Sequence, residues 1–340
     1  MFAVRIVARL RPPLPGEVCD DGVRVVSHRK VDKENAEPNK SANNSGPGII
    51  VTKEGSSQHY PFHSAYGPDD STTQTLFIHD MLPLVDQVFS GQTVTVFAYG
   101  VTSSGKTYTM QGNGLDDRGV IGLVVDEIFK RLGAAGGTLS MSYLELYLDA
   151  PYDLLVPPRT TSSHSGAPPL SFGTSIHLPA LSTHHIESPE AFRSLYAQAA
   201  GNRSTGATLL NSSSSRSHAV LTLYLTLANA VVGKLHLLDL AGSENNNLTG
   251  NNPSRMKESS AINTSLTALG LVVSALNDNA KAISKAASKG EDPKLKLIPY
   301  RSSSLTRLLS DALGGSSLAL LIVCLAPGTK FRSDLVRSVG

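Results

Sequence analysis

The 340-residue chain has few of the features that place a protein in a membrane or outside the cell. Its only cysteines, Cys19 and Cys324, have a spacing that suggests neither a zinc site nor a disulfide framework. No run of about 18 apolar residues occurs, which is the length that a membrane-spanning helix needs. The first residues lack the basic, apolar and cleavage regions of a secretory signal peptide. The sequence therefore predicts an intracellular protein with no membrane partner, in which Cys324 is a core residue because it lies in an apolar run.

The formal net charge of +2 is distributed unevenly along the chain. Residues 281–337 contain ten lysines and arginines and four acids, so this segment carries a charge of +6. Such a basic stretch indicates an acidic partner, either a nucleic acid or an acidic protein surface. A solvated loop without a partner has the same composition, and charge alone leaves both interpretations open.

Short β-rich runs alternate with helical patterns, and the hydrophobic content of 40% suits a globular domain with a sizeable core. Strands are predicted at 93–99, 138–147, 218–227, 234–238 and 317–326. Helices are predicted at 71–89, 117–132, 189–200, 260–276 and 303–313. The alternation predicts a three-layer α/β fold over residues 1–340, with a central, mostly parallel sheet flanked by helices.

Three segments, near 32–48, 156–170 and 277–296, are polar and have no apolar periodicity. We expect them to be loops inserted into the domain, with at most a frayed helical turn. The chain has no internal repeat and no heptad run, so no coiled coil is predicted.

A phosphate-binding motif follows the predicted strand at 93–99. Its residues are Gly100, Val101, Thr102, Ser103, Ser104, Gly105, Lys106 and Thr107, which match G-x-x-x-x-G-K-[ST] between a strand and a helix. The glycines let backbone N–H groups point at phosphate oxygens, and the helix adds the positive end of its dipole. Lys106 would neutralise the β- and γ-phosphates and the Thr107 hydroxyl would bind Mg²⁺. The motif predicts a nucleoside triphosphate site of the P-loop class.

A second acid for the metal ion is found after another strand. Asp239 follows the apolar run at 235–238, and Gly242 comes three residues later. This D-x-x-G pattern resembles the metal-binding acid and γ-phosphate sensor of P-loop enzymes, in which the acid holds Mg²⁺, here through water.

Several motifs, in the family's order, resemble those of kinesin motor domains. The run at 97–100 leads into the P-loop as it does in kinesins, residues 211–218 (NSSSSRSH) resemble switch I, and residues 239–244 (DLAGSE) resemble switch II. Further matching motifs lie at 9–12, 258–266, 298–301 and 305–309, so the resemblance covers roughly residues 3 to 336. It implies a microtubule-binding ATPase that uses ATP and Mg²⁺ and is located in the cytoplasm, on the microtubule cytoskeleton, including the spindle.

The resemblance also implies roles for single residues. Arg9, Arg11, Pro12 and Tyr108 would surround the adenine, with the base between Pro12 and Tyr108. Val101 stands where the family usually has glutamine, so no catalytic role is expected for it.

Near the γ-phosphate, Ser215 would complete the Mg²⁺ shell and the N–H of Gly242 would sense the phosphate. Arg216 and Glu244 would form an ion pair between the two switches. Glu244 would accept the proton of the attacking water. For His218, a catalytic role and a structural role both stay open.

Eight basic residues lie where kinesins face the acidic surface of tubulin: Lys257, Lys281, Lys285, Lys289, Lys294, Lys296, Arg301 and Arg307. Ser304 stands where the family usually has lysine. We expect this change to weaken tubulin binding and the lysine-rich segment to compensate.

The resemblance leaves three questions: whether the chain walks along microtubules, which kinesin subfamily it resembles, and which other protein classes compete with this assignment. The sequence stops at Gly340 before the family's neck linker, so either the chain is truncated or it binds microtubules without walking. Residues 249–251 (TGN) resemble chromokinesins of the Kid type, which also bind DNA, although no DNA-binding module is found. The competing classes are a catalytically silent kinesin-like binding module and a signalling GTPase. The GTPase is disfavoured because N-K-x-D is absent and the adenine-side motif at 9–12 is present.

Overall fold

The computed structural model describes residues 3–27, 46–53, 55–69, 72–114, 117–156, 169–173, 178–205, 215–228, 231–244, 253–313 and 317–339. Most of the predicted loops near 32–48 and 156–170 lies outside these residues, as do residues 211–214 of the switch I motif and residues 249–251.

The strands form a large mixed sheet and a small antiparallel one. Their bounds are β1 Ala3–Leu10, β2 Val23–Val26, β3 Gly48–Lys53, β4 Ser56–Pro61, β5 Ser64–Tyr66, β6 Thr93–Tyr99, β7 Gly137–Tyr147, β8 Ala150–Asp153, β9 His184–Ile186, β10 His218–Leu227, β11 Val232–Asp239 and β12 Leu318–Leu325. The large sheet has the order β5-β1-β12-β6-β11-β10-β7-β8, with β9 paired to β7, and the small sheet has the order β2-β3-β4.

The large sheet is parallel from β5 to β11 and antiparallel beyond it. The predicted, mostly parallel sheet is therefore mixed, because two connections are too short for a helical crossover. Residues 228–231 join β10 to β11. Leu148 and Asp149 join β7 to β8, with φ angles of 51° and 63° that suit a tight hairpin.

Helices cover both faces of the large sheet. Their bounds are α1 Thr73–Leu76, a π-helical turn Phe77–Met81, α2 Leu82–Phe89, α3 Lys106–Gln111, α4 Val120–Ala135, α5 Pro189–Thr205, α6 Pro253–Lys289, α7 Ser304–Leu308, α8 Ser310–Leu313 and α9 Arg332–Val339. One core joins the sheet to α2 and α4 through Val88 and Val124. The other joins it to α6, α7 and α8 through Val272, Leu305 and Leu313. The three-layer α/β fold is confirmed, and Cys324 lies buried in the first core.

Helix α6 is longer than predicted. The segment at 277–296 was expected to be a loop, but the helix continues to Lys289, and Gly290 ends it with a φ of 68°. The prediction for 277–289 was wrong because this part is built from alanine and lysine, which are strong helix formers without an apolar stripe. The chain that follows is fastened back to the helix, since the side chain of Asn279 exchanges two hydrogen bonds with the backbone of Lys296.

Among the described residues, Met256–Lys289 is the stretch whose length and composition would allow it to cross a membrane. Its most apolar window has a mean hydropathy of 1.4, and 28% of that window is buried. Part of this hydropathy belongs to the core, because Ile262, Ala268 and Val272 are buried within the domain. The same helix carries Lys281 and Lys285 on its exposed side.

Candidate nucleotide-binding site

The P-loop connects β6 to α3 by a path that only glycine permits at its two ends. Gly100 and Gly105 have φ angles of 146° and 97°. A Cβ atom on Gly100 would lie 2.3 Å from the carbonyl oxygen of Cys324, so no side chain fits there. Ser103 also has a positive φ of 66°, which is rare for a residue with a side chain. The motif therefore adopts the tight, inward-turned loop that the sequence predicted.

Lys106 is buried inside this loop. Its Nζ donates to the carbonyl oxygens of Gly100 and Val101, at 2.9 Å each. Burial lowers the pKa of Lys106, and the negative charges of Asp239 and Glu244 act in the opposite direction. The ammonium group thus sits within the loop that the sequence assigns to phosphate.

Thr107 and Asp239 form a polar pair suited to a magnesium ion. The Thr107 hydroxyl donates to Oδ2 of Asp239 at 2.9 Å. The other carboxylate oxygen, Oδ1, is buried and has no hydrogen-bond partner among the described residues. Thr107 and Ser215 both line a cleft with a volume of about 230 Å³. Hard oxygen donors in this arrangement fit Mg²⁺, which is bound by few protein groups and several waters.

Arg203 is a site residue that the sequence analysis missed. This buried side chain of α5 donates to Oδ2 of Asp239 at 3.0 Å and to the carbonyl oxygen of Ser217, also at 3.0 Å. It lies 3.8 Å from the carboxylate of Glu145. Burial alone would lower the pKa of Arg203, but the charge of Asp239 raises it. A single arginine near the end of a helix has no sequence pattern that distinguishes it from a surface residue.

The two switch motifs meet through the backbone. The N–H of Gly242 donates to the carbonyl oxygen of Ser215 at 3.1 Å, and the N–H of Ser243 donates to that of Gly100 at 3.1 Å. A Cβ atom on Gly242 would lie 2.4 Å from Oγ1 of Thr102. The predicted phosphate sensor is therefore engaged with switch I in this structure.

The predicted ion pair between Arg216 and Glu244 is not formed in this structure. Arg216 instead donates to Glu258 of α6 at 2.8 Å, and the Tyr147 hydroxyl donates to the same carboxylate at 2.7 Å. Glu244 accepts from the backbone N–H of Thr102 at 2.8 Å and from its hydroxyl. P-loop N–H groups attract anions. Glu244 is thus bound to Thr102 of the P-loop, and the carboxylate that pairs with Arg216 is that of Glu258.

His218 has the environment of a structural residue. It is buried, its Nδ1 accepts from the N–H of Ala241 at 3.1 Å, and its Nε2 lies 2.8 Å from the hydroxyl of Ser265. Burial lowers its pKa to about 3, and the positive charge of Arg203 adds to this effect. A neutral imidazole that ties β10 to switch II and α6 favours the structural alternative.

On the adenine side, both arginines are engaged with protein groups. Arg9 donates to the Thr109 hydroxyl at 2.6 Å, and its guanidinium lies 5.1 Å from the ring centre of Tyr108. Tyr108 lines the cleft and is 38% exposed. Pro12 is exposed and is not among the described residues that line this cleft.

Arg11 braces the P-loop. Its Nε donates to the carbonyl oxygen of Ser103 at 2.7 Å, and its two terminal nitrogens bind the Glu17 carboxylate at 2.6 and 2.9 Å. The hydrogen bonds from Arg11 hold the pKa of Glu17 at about 2. This side chain therefore supports the positive φ of Ser103 from outside the loop.

The basic residues expected to face tubulin differ in their exposure and in their contacts with other side chains. Six of them are exposed: Lys257, Lys281, Lys285, Lys289, Lys294 and Arg301. Lys296 pairs with Asp278 at 2.7 Å. Arg307 lies over the ring of Phe172, 4.3 Å from its centre. Ser304 donates through its N–H to Asp149 at 2.8 Å, which anchors the start of α7 to the β7–β8 hairpin.

A P-loop after a parallel strand, with a paired acid ending the neighbouring strand, defines a P-loop nucleoside triphosphatase fold. Within that class, the kinesin motor domain matches residues 9–339. Kinesin-like protein KIN-10B of Arabidopsis thaliana is 36% identical over 96% of the chain, and kinesin-like protein KIF22 of Mus musculus is 37% identical over 99%. The chain covers 48% of each, so it spans about half the length of these curated relatives.

Solved structures agree with the sequence comparison. The motor domain of the kinesin-related protein Kar3 from Saccharomyces cerevisiae has a TM-score of 0.73 at 27% identity, covering 99% of this chain and 97% of that one. The motor domain of a Kar3-like kinesin from Ashbya gossypii has a TM-score of 0.71 at 27% identity, with the same coverage. The chain belongs to the kinesin motor domain family, which confirms the resemblance found in the sequence.

Proposed function

We propose that this chain hydrolyses ATP and couples the state of the nucleotide to microtubule binding. The observation that carries the proposal is the pairing of Thr107 with Asp239 beside a glycine-bounded P-loop, with one oxygen of Asp239 left for a further partner. Membership of the kinesin motor domain family supports both parts of the proposal.

Binding of the triphosphate requires Lys106 to change partners. Its ammonium group would leave the carbonyl oxygens of Gly100 and Val101 and turn to the phosphates, whose charge outweighs that of a carbonyl dipole. Thr107, Ser215 and, through water, Asp239 would hold Mg²⁺, which neutralises charge on the phosphate oxygens. Arg203 would hold the carboxylate of Asp239 in its orientation.

Hydrolysis requires the switches to rearrange. Glu244 would leave Thr102, pair with Arg216 and accept the proton of the attacking water. For this to happen, Arg216 must release Glu258 and Gly242 must free its N–H from Ser215. The two arrangements make different ion pairs from the same arginine, so they define two states of the site.

The surface proposed to bind microtubules consists of the exposed lysines and arginines on and after α6. Tubulin is strongly acidic, and exposed like charges act together on the rate of encounter. We assign the chain to the microtubule cytoskeleton in the cytoplasm, including the spindle. DNA binding has no support from a module in this chain.

The second candidate function is a kinesin-like module that binds microtubules without turning over ATP. Ser304, in place of the family's lysine, is the observation that favours it, since its backbone is committed to Asp149. ATP turnover measured with and without polymerised tubulin separates the two. We expect slow turnover alone and a rise of about tenfold or more, or about 1.4 kcal/mol, with microtubules. Equal rates would favour the silent module, and Lys106→Ala, which removes the phosphate countercharge, provides the blank.

A further inference from the structure

The loop between α3 and α4 brings a carboxylate to the ring proposed to contact adenine. The Tyr108 hydroxyl donates a hydrogen bond to Oδ2 of Asp117. On the other side, Arg9 lies 5.1 Å from the centre of the ring and is itself held by Thr109. The ring of Tyr108 is thus fixed by an anion at its hydroxyl and a cation over its face.

Asp117 is held in place by its own backbone. Its carbonyl oxygen accepts from the N–H of Asn113 at 2.8 Å, and Gly112 and Arg118 form a β-bridge beside it. A Cβ atom on Gly112 would lie 2.1 Å from the carbonyl oxygen of Asp117. This contact requires glycine, so the close approach of the two chain segments is built into the sequence.

The neighbouring residues tie the same loop to the helices. Arg118 forms an ion pair with Asp126 of α4. A Cβ atom on Gly119 would lie 2.3 Å from the carbonyl oxygen of Met110, at the end of α3. Asp117 and the two residues after it are therefore held against α3 and α4, and the hydrogen bond from Tyr108 to Asp117 can determine where the Tyr108 ring lies.

We propose that Asp117 is a positioning residue for the nucleotide base, because it holds the Tyr108 ring in the plane on which a purine stacks. The proposal rests on the proposed ATP binding. A tyrosine with 38% exposure that lacked this bond would sample several ring positions. Ordering it would then cost binding free energy, as the immobilisation of any side chain does. Arg9 occupies one face of the ring, and the base would use the other.

A double-mutant cycle tests the proposal. Asp117→Ala, Tyr108→Phe and the double variant would be compared with the parent by calorimetric titration with ATP, CTP and inorganic tripolyphosphate. Each single change should raise the Kd for ATP about three- to fivefold, and the double change no further, because both remove one hydrogen bond. In the variants, the Kd for tripolyphosphate should equal that of the parent. The ratio of the Kd for CTP to the Kd for ATP should be smaller than in the parent, because a purine stacks on the tyrosine ring better than a pyrimidine does.

Two controls accompany the cycle. Asp117→Asn keeps an acceptor oxygen and should recover most of the affinity for ATP. Asp311→Ala removes an exposed acid of α8 and should have no effect. Additive losses, or no loss, would overturn the positioning role, and so would an equal loss of tripolyphosphate affinity. A parent chain that binds tripolyphosphate and not ATP would also contradict it. If the parent binds neither, the proposed function itself fails.

Discussion

Arg216 of switch I donates to Glu258 of α6 at 2.8 Å, while Glu244 of switch II binds Thr102 of the P-loop. The arginine expected to join the two switches is instead held by the helix that carries the lysines proposed to face the microtubule. The nucleotide site and that helix therefore share one ion pair.

Glu258→Gln should raise ATP turnover in the absence of microtubules. Without the carboxylate of Glu258, Arg216 loses the partner that competes with Glu244, and the hydrolytic arrangement becomes more populated. We expect a rise of about three- to fivefold, because a partly exposed ion pair is worth about 1 kcal/mol or less. Steady-state phosphate release would measure it.

Tyr147→Phe is the matched control for this prediction. It removes one hydrogen bond to Glu258 and leaves the charge, so its effect should be smaller and in the same direction. A fall in turnover for Glu258→Gln would show that Glu258 supports hydrolysis directly and that the competition does not exist.

Arg203→Ala should destabilise the fold as well as the site. The change removes the buried cation that lies 3.0 Å from the carboxylate of Asp239 and 3.8 Å from that of Glu145, both of which are also buried. The loss of one partner of a buried pair costs about 3 kcal/mol or more in the free energy of unfolding. Urea denaturation would measure it. Arg193→Ala, on the same helix but paired at the surface, should cost about 1 kcal/mol or less; equal losses would argue against a special role for Arg203.

The exposed lysines of α6 should govern the salt dependence of microtubule binding. Changing Lys281, Lys285 and Lys289 together to alanine keeps the helix, because alanine is the best helix former. We expect microtubule affinity to fall by about five- to tenfold at low salt and to depend less on salt, since exposed charges are screened over about 8–10 Å. Co-sedimentation at two salt concentrations would measure both effects.

Two lysines serve as controls in that experiment. Lys130 has a side chain that is 78% exposed and lies on α4, across the sheet from α6; its change to alanine should leave affinity unaltered. Lys296→Ala should have a small effect because its charge is already paired with Asp278. Unchanged affinity in the triple variant would mean that these lysines are only solvated surface.

The pairing of Arg11 with Glu17 should add stability at neutral pH that disappears in acid. The pKa of Glu17 is lowered from 4.5 to about 2 in the folded chain. The stabilisation is therefore complete above the unfolded pKa and is lost as the pH falls through the folded pKa. Glu17→Gln should lower the free energy of unfolding at pH about 7 and have less effect at pH about 3. A difference that is the same at both pH values would contradict the assignment.

The parts of the site that the sequence predicted are those fixed by backbone geometry. Gly100, Gly105, Lys106 and Thr107 are recognisable because a phosphate loop needs each of them at one spacing. Asp239 was found because it ends an apolar strand. These residues lie together in the structure, as the order of strands β6 and β11 requires.

The features that the sequence did not predict depend on tertiary contacts, on which of two acids binds an arginine, or on helix propensity. Arg203 meets Asp239 only after α5 packs beneath the site. The pairing of Arg216 with Glu258 in this structure was not predicted, because the sequence does not show which of the two acids, Glu244 or Glu258, packs against the arginine. The helix at 277–289 was missed because helix propensity, and not an apolar stripe, maintains it.

The length of α6 has a mechanical consequence. Glu258 and Lys289 are 31 residues apart on one continuous helix, which corresponds to about 46 Å at the rise of an α-helix. A tilt of about 10° at the Glu258 end would displace the far end by about 8 Å. The helix is therefore a lever: a small change in its tilt at the end that carries Glu258 would move the lysine-bearing end by more than the width of a side chain.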